Sequence, residues 1–328
     1  MRAAARSGGQ PADLTFRPVA PGELPACATI WRAAINDYIV PLGQEELSEE
    51  FNPLLRLYAH LQSSDPDRFV VATVPDGSGE RIVAFTAAVE RERFWYLSML
   101  FVLPEFQGAS LGRALLARVL PDGDASARGT ATDSAQPISN ALYASYGIVP
   151  RMPFLSLSGL PHRPEAFGPL PSGVAAIPFD EIARGPGEPG GDGLGHRVLV
   201  DAIDAIDREL LGFAHPLDHR FLRGEGRRGW LYRGPDGAAL GYGYAGEAGR
   251  VGPIAVRDDA LLGPVLGHLT SAVVPRGAFA FWVGGAADRA IVPALAAGFR
   301  LDRFPVLLCW DRPFADFSRY LPIGTGLL

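Results

Sequence analysis

The stretch LSMLFVLPEFQGASLGRALLARVL, residues 97–120, passes from an apolar run through Pro104 and the turn QGASLG into an amphipathic run. Gln107, Gly108, Ala109, Ser110, Leu111, Gly112 and Arg113 therefore stand where the end of a strand meets the start of a helix. Free backbone N–H groups at a helix start, reinforced by the helix dipole, attract an anion, and glycine lets a phosphate approach the main chain closely. Phosphate binding by the main chain is the chemistry this spacing suits. The competing reading is that the glycines only end a strand and allow close packing. The chain contains no lysine, so all 30 of its basic residues are arginine. A GxxxxGK[ST] phosphate loop and Schiff-base chemistry are thereby excluded.

Other arrangements fail on context. His215 and His219 have a metal-like separation, but Pro216 lies between them and no cysteine or third histidine is near, so no metal site is expected. Gly241, Gly243 and Gly246 satisfy GxGxxG, yet they continue an alternating strand and lead into a glycine-proline turn, so no dinucleotide site is expected there. No GxSxG occurs. Cys27 and Cys309 stand near opposite ends of the chain, which argues against a disulfide framework and suits a reducing cytoplasm. A formal charge of −6 with dispersed arginines offers no basic stripe, so neither nucleic acid nor an anionic membrane is an expected partner. No apolar stretch reaches the roughly 18 to 20 residues of a membrane span, and the opening MRAAARSGGQPAD lacks the apolar segment of a secretory signal.

The elements that position the turn follow from periodicity and breakers. LTFRPVA (14–20) reads as a strand, PACATIWRAAINDYI and PLLRLYAHLQ as helices, with Ile30, Ala34 and Tyr38 on one face of the first. FVVATV, RIVAFTAAVE and FWYLSMLFVL read as strands, the first two joined by a hairpin at Asp76-Gly77. A helix is predicted over 108–119 with Ala114, Leu115, Ala117 and Leu120 on its apolar side, another over ISNALYASYG, and a strand at MPFLSLSG. Proline and glycine then cluster in LPHRPEAFGPLPSG, which places a domain boundary near residue 165. The expected organisation is a disordered tail over 1–13, a first domain over 14–165 and a second over 166–328. Each domain is a mixed, mostly antiparallel sheet flanked by helices, α/β in class, and the second repeats the order of the first as a weak internal duplication.

LFVLPEFQGASLGRALL resembles the coenzyme A motif of the GNAT-type N-acetyltransferases, in which a strand ending in L-x-V-x-P leads through [RQ]-G-x-G-x-[GA] into a helix. Leu100, Val102, Pro104, Gln107, Gly108 and Gly112 match, and Ser110 replaces the second glycine. The resemblance implies that residues 107–113 wrap the pyrophosphate of acetyl-CoA while the main chain of Leu100, Phe101 and Val102 pairs with its pantetheine arm. A second element, NALYASYGI, resembles the family's L-Y-x-x-x-G-[FI], which puts Tyr143 in the place of the general acid and Gly147 at the following turn. The resemblance further implies an oxyanion-stabilising N–H near Val102 and an acceptor cleft lined by the first helices, with Tyr38 and Ser98 as its candidate substrate-binding residues. Glu90 and Glu92 are candidate bases acting through water, with solvated hairpin ends as the alternative.

The second half lacks these parts. RVGPIAV runs into RDDALLG, where Asp258 and Asp259 would repel a pyrophosphate, and four residues before Gly298 stands Ala294 instead of tyrosine. The expected protein is a tandem acetyltransferase with an active N-terminal domain and a degenerate C-terminal one that replaces the second subunit of a dimer. It is expected to be cytoplasmic, monomeric or homodimeric, and to use acetyl-CoA without a metal on a small-molecule amine. The alternative from another class is a non-catalytic acyl-CoA-binding or scaffold protein.

Overall fold

A computed structural model of the chain describes residues 14–123, 126–184, 194–302 and 304–328. The tail expected over 1–13 lies outside the described residues, as does most of the glycine-rich RGPGEPGGDGLG. The chain forms two compact units. The first comprises Met1–Glu90, Trp95–Thr130 and Ala135–Val149, the second Arg91–Phe94, Ala131–Ser134 and Pro150–Leu328.

The first unit is built from β1 (Thr15–Pro18), α1 (Leu24–Ile39), α2 (Asn52–Ser64), β2 (Phe69–Asp76), β3 (Gly79–Arg91), β4 (Phe94–Val102), α3 (Leu111–Val119), β5 (Ala127–Asp133) and α4 (Pro137–Ala144). Its strands lie in the order β1-β2-β3-β4-β5. The β2–β3 hairpin closes with Asp76 opposite Gly79, and Gly77 takes a φ of 60° at the tip, as the Asp-Gly pair predicts. Residues 83–89 of β3 are buried without alternation because both faces of this central strand are covered. Tyr58 from α2 meets Phe69 and Phe85 edge-on, at ring centroid distances of 5.7 and 5.5 Å.

Two features differ from the sequence expectation. Helix α3 starts at Leu111 rather than 108, because Gly108 (φ 82°) and Ser110 (φ 60°) are left-handed and cannot belong to a right-handed helix. Its buried face is consequently Leu111, Leu115, Leu116 and Val119, while Ala117 is exposed. The last carbonyl, that of Val119, accepts from Trp95 Nε1 at 2.7 Å and Arg68 Nη1 at 3.0 Å, which anchors the far end of the helix. Strand β5 was not anticipated. Its small, polar sequence ARGTATD hides buried threonines, of which Thr130 donates its hydroxyl to the Leu97 carbonyl at 2.9 Å.

The second unit continues with β6 (Val149–Gly159), β7 (Ala175–Pro178), α5 (Phe179–Arg184), α6 (Leu194–Leu210), α7 (Pro216–Gly224), β8 (Arg228–Arg233), β9 (Ala239–Ala245), β10 (Val251–Val256), α8 (Leu262–Ala272), β11 (Phe279–Gly284), α9 (Asp288–Ala297), β12 (Arg300–Leu301), β13 (Val306–Trp310) and β14 (Tyr320–Leu321). One sheet has the order β14-β10-β9-β8-β7, and β6 runs between β13 and β11 with β12 also paired to it. Pairing of β6 with β11, from Phe154 opposite Gly284 to Gly159 opposite Phe279, holds residues 150–159 in the second unit. Gly241 and Gly243 lie inside β9. A Cβ at Gly241 would fall 2.4 Å from the Ala255 carbonyl oxygen, and one at Gly243 would fall 2.7 Å from Leu269. These glycines serve close packing, which accounts for the GxGxxG match without a nucleotide.

Candidate active site

Strand β4 ends at Val102, a short turn follows at Pro104–Phe106, and the chain enters the loop 107–110. Gln107 Nε2 donates to the Val102 carbonyl oxygen at 3.1 Å, tying the loop to the strand that precedes it. Gly108 and Ser110 are left-handed on either side of Ala109, an alternation that turns successive N–H groups towards one concavity. Ser110 thus adopts the conformation that glycine would have supplied, at a cost of roughly 1–2 kcal/mol. Among the described residues, no acceptor receives the backbone N–H groups of Gly108 through Arg113; the first α3 bond runs from Ala114 to the Ser110 carbonyl at 3.0 Å. Unpaired donors at a helix start with no side-chain cap form a ready anion cradle. Gly112 has a second role: a Cβ there would meet Leu100 and Leu142 at 3.5 Å, so α3 packs closely on β4 and α4.

Helix α4 carries Tyr143, whose side chain is only 5% exposed. After the helix ends at Ala144 the chain turns at Gly147, left-handed with φ 81°, and the Ile148 N–H returns to the Tyr143 carbonyl at 3.1 Å. One turn along, the half-buried Tyr146 lies under the Arg113 guanidinium, 5.5 Å from its ring centroid. Leu142 and Tyr146 therefore bring α4 against the start of α3, and the two sequence elements that suggested chemistry share one neighbourhood.

Residues 41–164 match the family described as Acetyltransferase (GNAT) domain. This stretch is a GNAT acetyltransferase domain. A Pyrococcus horikoshii protein to which acetyltransferase activity is ascribed has a similar fold, with a TM-score of 0.66 at 12% identity, covering 98% of this chain and 97% of that one. A GCN5-related N-acetyltransferase from Sphaerobacter thermophilus has a TM-score of 0.56 at 18% identity, covering 94% and 99%. A tandem GNAT protein from the clavulanic acid biosynthesis pathway has a TM-score of 0.52 at 16% identity, covering 92% and 99%. At these identities the likeness is one of fold. None of the curated proteins compared with the chain matches it. The mixed architecture of sheets flanked by helices is that of GNAT folds, and the matched domain is an acyltransferase domain. No helix among the described residues is long and apolar enough to cross a membrane.

The strand-to-helix junction of the second unit is built differently from the loop 107–113. After β10, Asp258 Oδ1 accepts from the Ala260 N–H at 3.0 Å, so the chain's own carboxylate occupies an amide at the helix approach. A Cβ at Gly263 would lie 3.1 Å from the Phe167 carbonyl oxygen, which makes this glycine a packing residue. Ala294 repeats the backbone role of Tyr143: the Phe299 N–H bonds the Ala294 carbonyl at 3.0 Å, and Gly298 is left-handed at φ 114°.

Of the remaining predicted residues, Leu100 and Phe101 are half-buried on β4, and Phe101 packs its ring on Phe85 at 5.6 Å. Tyr38 on α1 and Ser98 on β4 are half-buried. Asn36, beside Tyr38, accepts from the Leu47 N–H at 3.0 Å and so fixes the chain after α1. Glu90 is half-buried near the end of β3, whereas Glu92 lies in the exposed turn of the β3–β4 hairpin, and both are held in ion pairs. Glu90 pairs with Arg68 and accepts from Ser126 Oγ at 3.2 Å. Glu92 binds the Arg208 guanidinium at 2.6 Å and the Ala214 N–H at 3.2 Å, and Arg208 holds its carboxyl below the ordinary range. A carboxylate so committed is a poor base.

Beside His215 and His219, for which the sequence offers no cysteine or third histidine, the end of α6 brings Asp207 into contact with both imidazoles. Burial opposes charge on Asp207, but His215, His219 and Tyr242 together outweigh it and hold the carboxyl below its ordinary value. This cluster lies in the second unit.

Proposed function

We propose that the chain is an N-acetyltransferase that moves an acetyl group from acetyl-CoA to the amine of a small molecule, with the first unit active and the second without coenzyme. The observation that carries this reading is the row of unpaired N–H groups from Gly108 to Arg113 at the end of β4. Six successive donors without a lysine suit a pyrophosphate bound by main chain, and Gly108 leaves its approach open. Arg113, exposed and stacked on Tyr146, adds a cation beside this cradle.

Acetyl-CoA supplies a thioester whose carbonyl an amine can attack. The new N–C bond forms as the C–S bond breaks, the nitrogen releases its proton to water or a base, and the sulfur gains one. Tyr143 suits the protonation of sulfur, because a phenol with a reference pKa near 10 stays protonated at neutral pH and can donate to a thiolate. A backbone N–H near Val102 stabilises the oxyanion. Tyr38 and Ser98 are assigned to the acceptor side, and water takes the amine proton, since Glu90 and Glu92 are held in ion pairs. A cytoplasmic monomer or homodimer suits this role.

The test is a screen of amines with acetyl-CoA, following free thiol release. Amine-dependent release that stops when Gly108 is replaced by valine supports the proposal. Tight acetyl-CoA binding with no release on any amine would favour a non-catalytic acyl-CoA-binding or scaffold protein.

A further inference from the structure

The second unit contains a buried group with no part in acetyl transfer. Asp207 sits in the last turn of α6, His215 at the N-cap of α7 and His219 one turn inside it. All three are at most 3% exposed. The Nε2 atoms of His219 and His215 lie 2.8 and 3.3 Å from the same oxygen, Asp207 Oδ2. One ligand atom from each residue lies within 4.8 Å of the others, the one such group among the described residues.

Hydrogen bonding alone accounts poorly for this convergence. Neither ring nitrogen of the fully buried His215 makes a hydrogen bond, and the Tyr320 hydroxyl, also buried and close enough to feel the charges of Asp207 and Asp218, has no partner either. Each such buried polar group costs about 1–3 kcal/mol. A divalent ion bound at about 2.0–2.1 Å in a tetrahedral site needs donor atoms about 3.3 Å apart, close to the separations found. The outward sides of two of the three donors are hydrogen-bonded, and that of His215 faces a carboxylate. Tyr242 donates to Asp207 Oδ1 at 2.5 Å, the Tyr244 hydroxyl is 2.9 Å from His219 Nδ1, and Asp218 Oδ2 is 3.6 Å from His215 Nδ1. Asp218 is itself clamped by Arg91 through Nε and Nη2, each at 2.9 Å. Imidazoles backed by a carboxylate or hydroxyl, and a carboxylate with its free oxygen hydrogen-bonded, form the outer shell that orients metal ligands.

We propose that Asp207, His215 and His219 bind a divalent transition-metal ion that pins α7 to the end of α6. Two imidazoles and one carboxylate suit zinc and its neighbours rather than magnesium or calcium. The Tyr320 hydroxyl supplies the polar group that a fourth ligand, water or the phenol itself, would require. No covalent or redox step is involved.

The experiment uses the full chain, stripped of metal in denaturant with chelator and refolded with or without zinc. The expected result is one zinc per chain after gel filtration, a melting temperature higher by several degrees, and loss of at least 90% of the metal in His219→Ala and Asp207→Asn. His268→Gln, outside the group, should keep its zinc. A folded wild-type chain that retains no zinc, or unchanged retention in both variants, would overturn the proposal. If the variants do not fold, X-ray absorption of the zinc-loaded wild type decides. Two imidazoles with oxygen support the site; sulfur from Cys27 or Cys309, or a shell of oxygen only, refutes it.

Discussion

Arg113 places its guanidinium over the ring of Tyr146, 5.5 Å from the centroid, and so joins the start of α3 to α4. One helix carries the anion cradle, the other Tyr143. Their contact makes the two motifs testable as one site.

Tyr143→Phe keeps the ring and removes only the hydroxyl. Coenzyme affinity should hold and stability should fall by no more than about 1 kcal/mol, while kcat drops on the order of 100-fold or more. Tyr146→Phe keeps the face that meets Arg113 and should leave kcat within a few-fold. Steady-state kinetics of both variants check the pair. The reverse pattern would move the acid to Tyr146.

Ser110 carries a left-handed φ of 60° that glycine adopts without strain. Ser110→Gly should therefore leave acetyl-CoA affinity intact and, because the added freedom of the unfolded chain offsets part of the relief, raise stability by less than about 1 kcal/mol. Chemical denaturation and calorimetry read the two quantities separately.

Gly112→Ala separates packing from ligand approach. The new methyl meets Leu100 and Leu142 at 3.5 Å, an ordinary contact, so the melting temperature should change little. A loss of coenzyme affinity in this stable variant would show that Gly112 borders the pyrophosphate.

A fragment ending at residue 165 keeps β6 but removes β11, β12 and β13, its partners. Phe154 and Leu157, buried in the full chain, would face solvent on an unpaired strand. The fragment should aggregate, as light scattering would reveal; a monodisperse, folded fragment would contradict this.

The legible parts of the sequence were those where one physical pattern dominates. Runs such as FVVATV and FWYLSMLFVL announced β2 and β4, and QGASLG announced a strand-to-helix turn, although the helix start fell at Leu111 because backbone conformation at Ser110 is not written in hydropathy. Strand β5 escaped because its buried threonines look polar until Thr130 meets the Leu97 carbonyl. Helix α7 was not predicted; Pro216 occupies its first turn, where proline is tolerated. Asp207 could not be joined to His215 and His219 from spacing, since only the meeting of α6 and α7 brings them together.

Calorimetric titration of the full chain with acetyl-CoA tests the central claim most directly, beside the same titration of Gly108→Val. At Gly108, with φ 82°, a valine strains the loop and fills the space proposed for the phosphate, whereas in the second unit Asp258 already accepts from the Ala260 N–H after β10. The predicted result is one site per chain, weakened at least tenfold by the substitution. Two equivalent sites, or unchanged affinity in the folded variant, would contradict it.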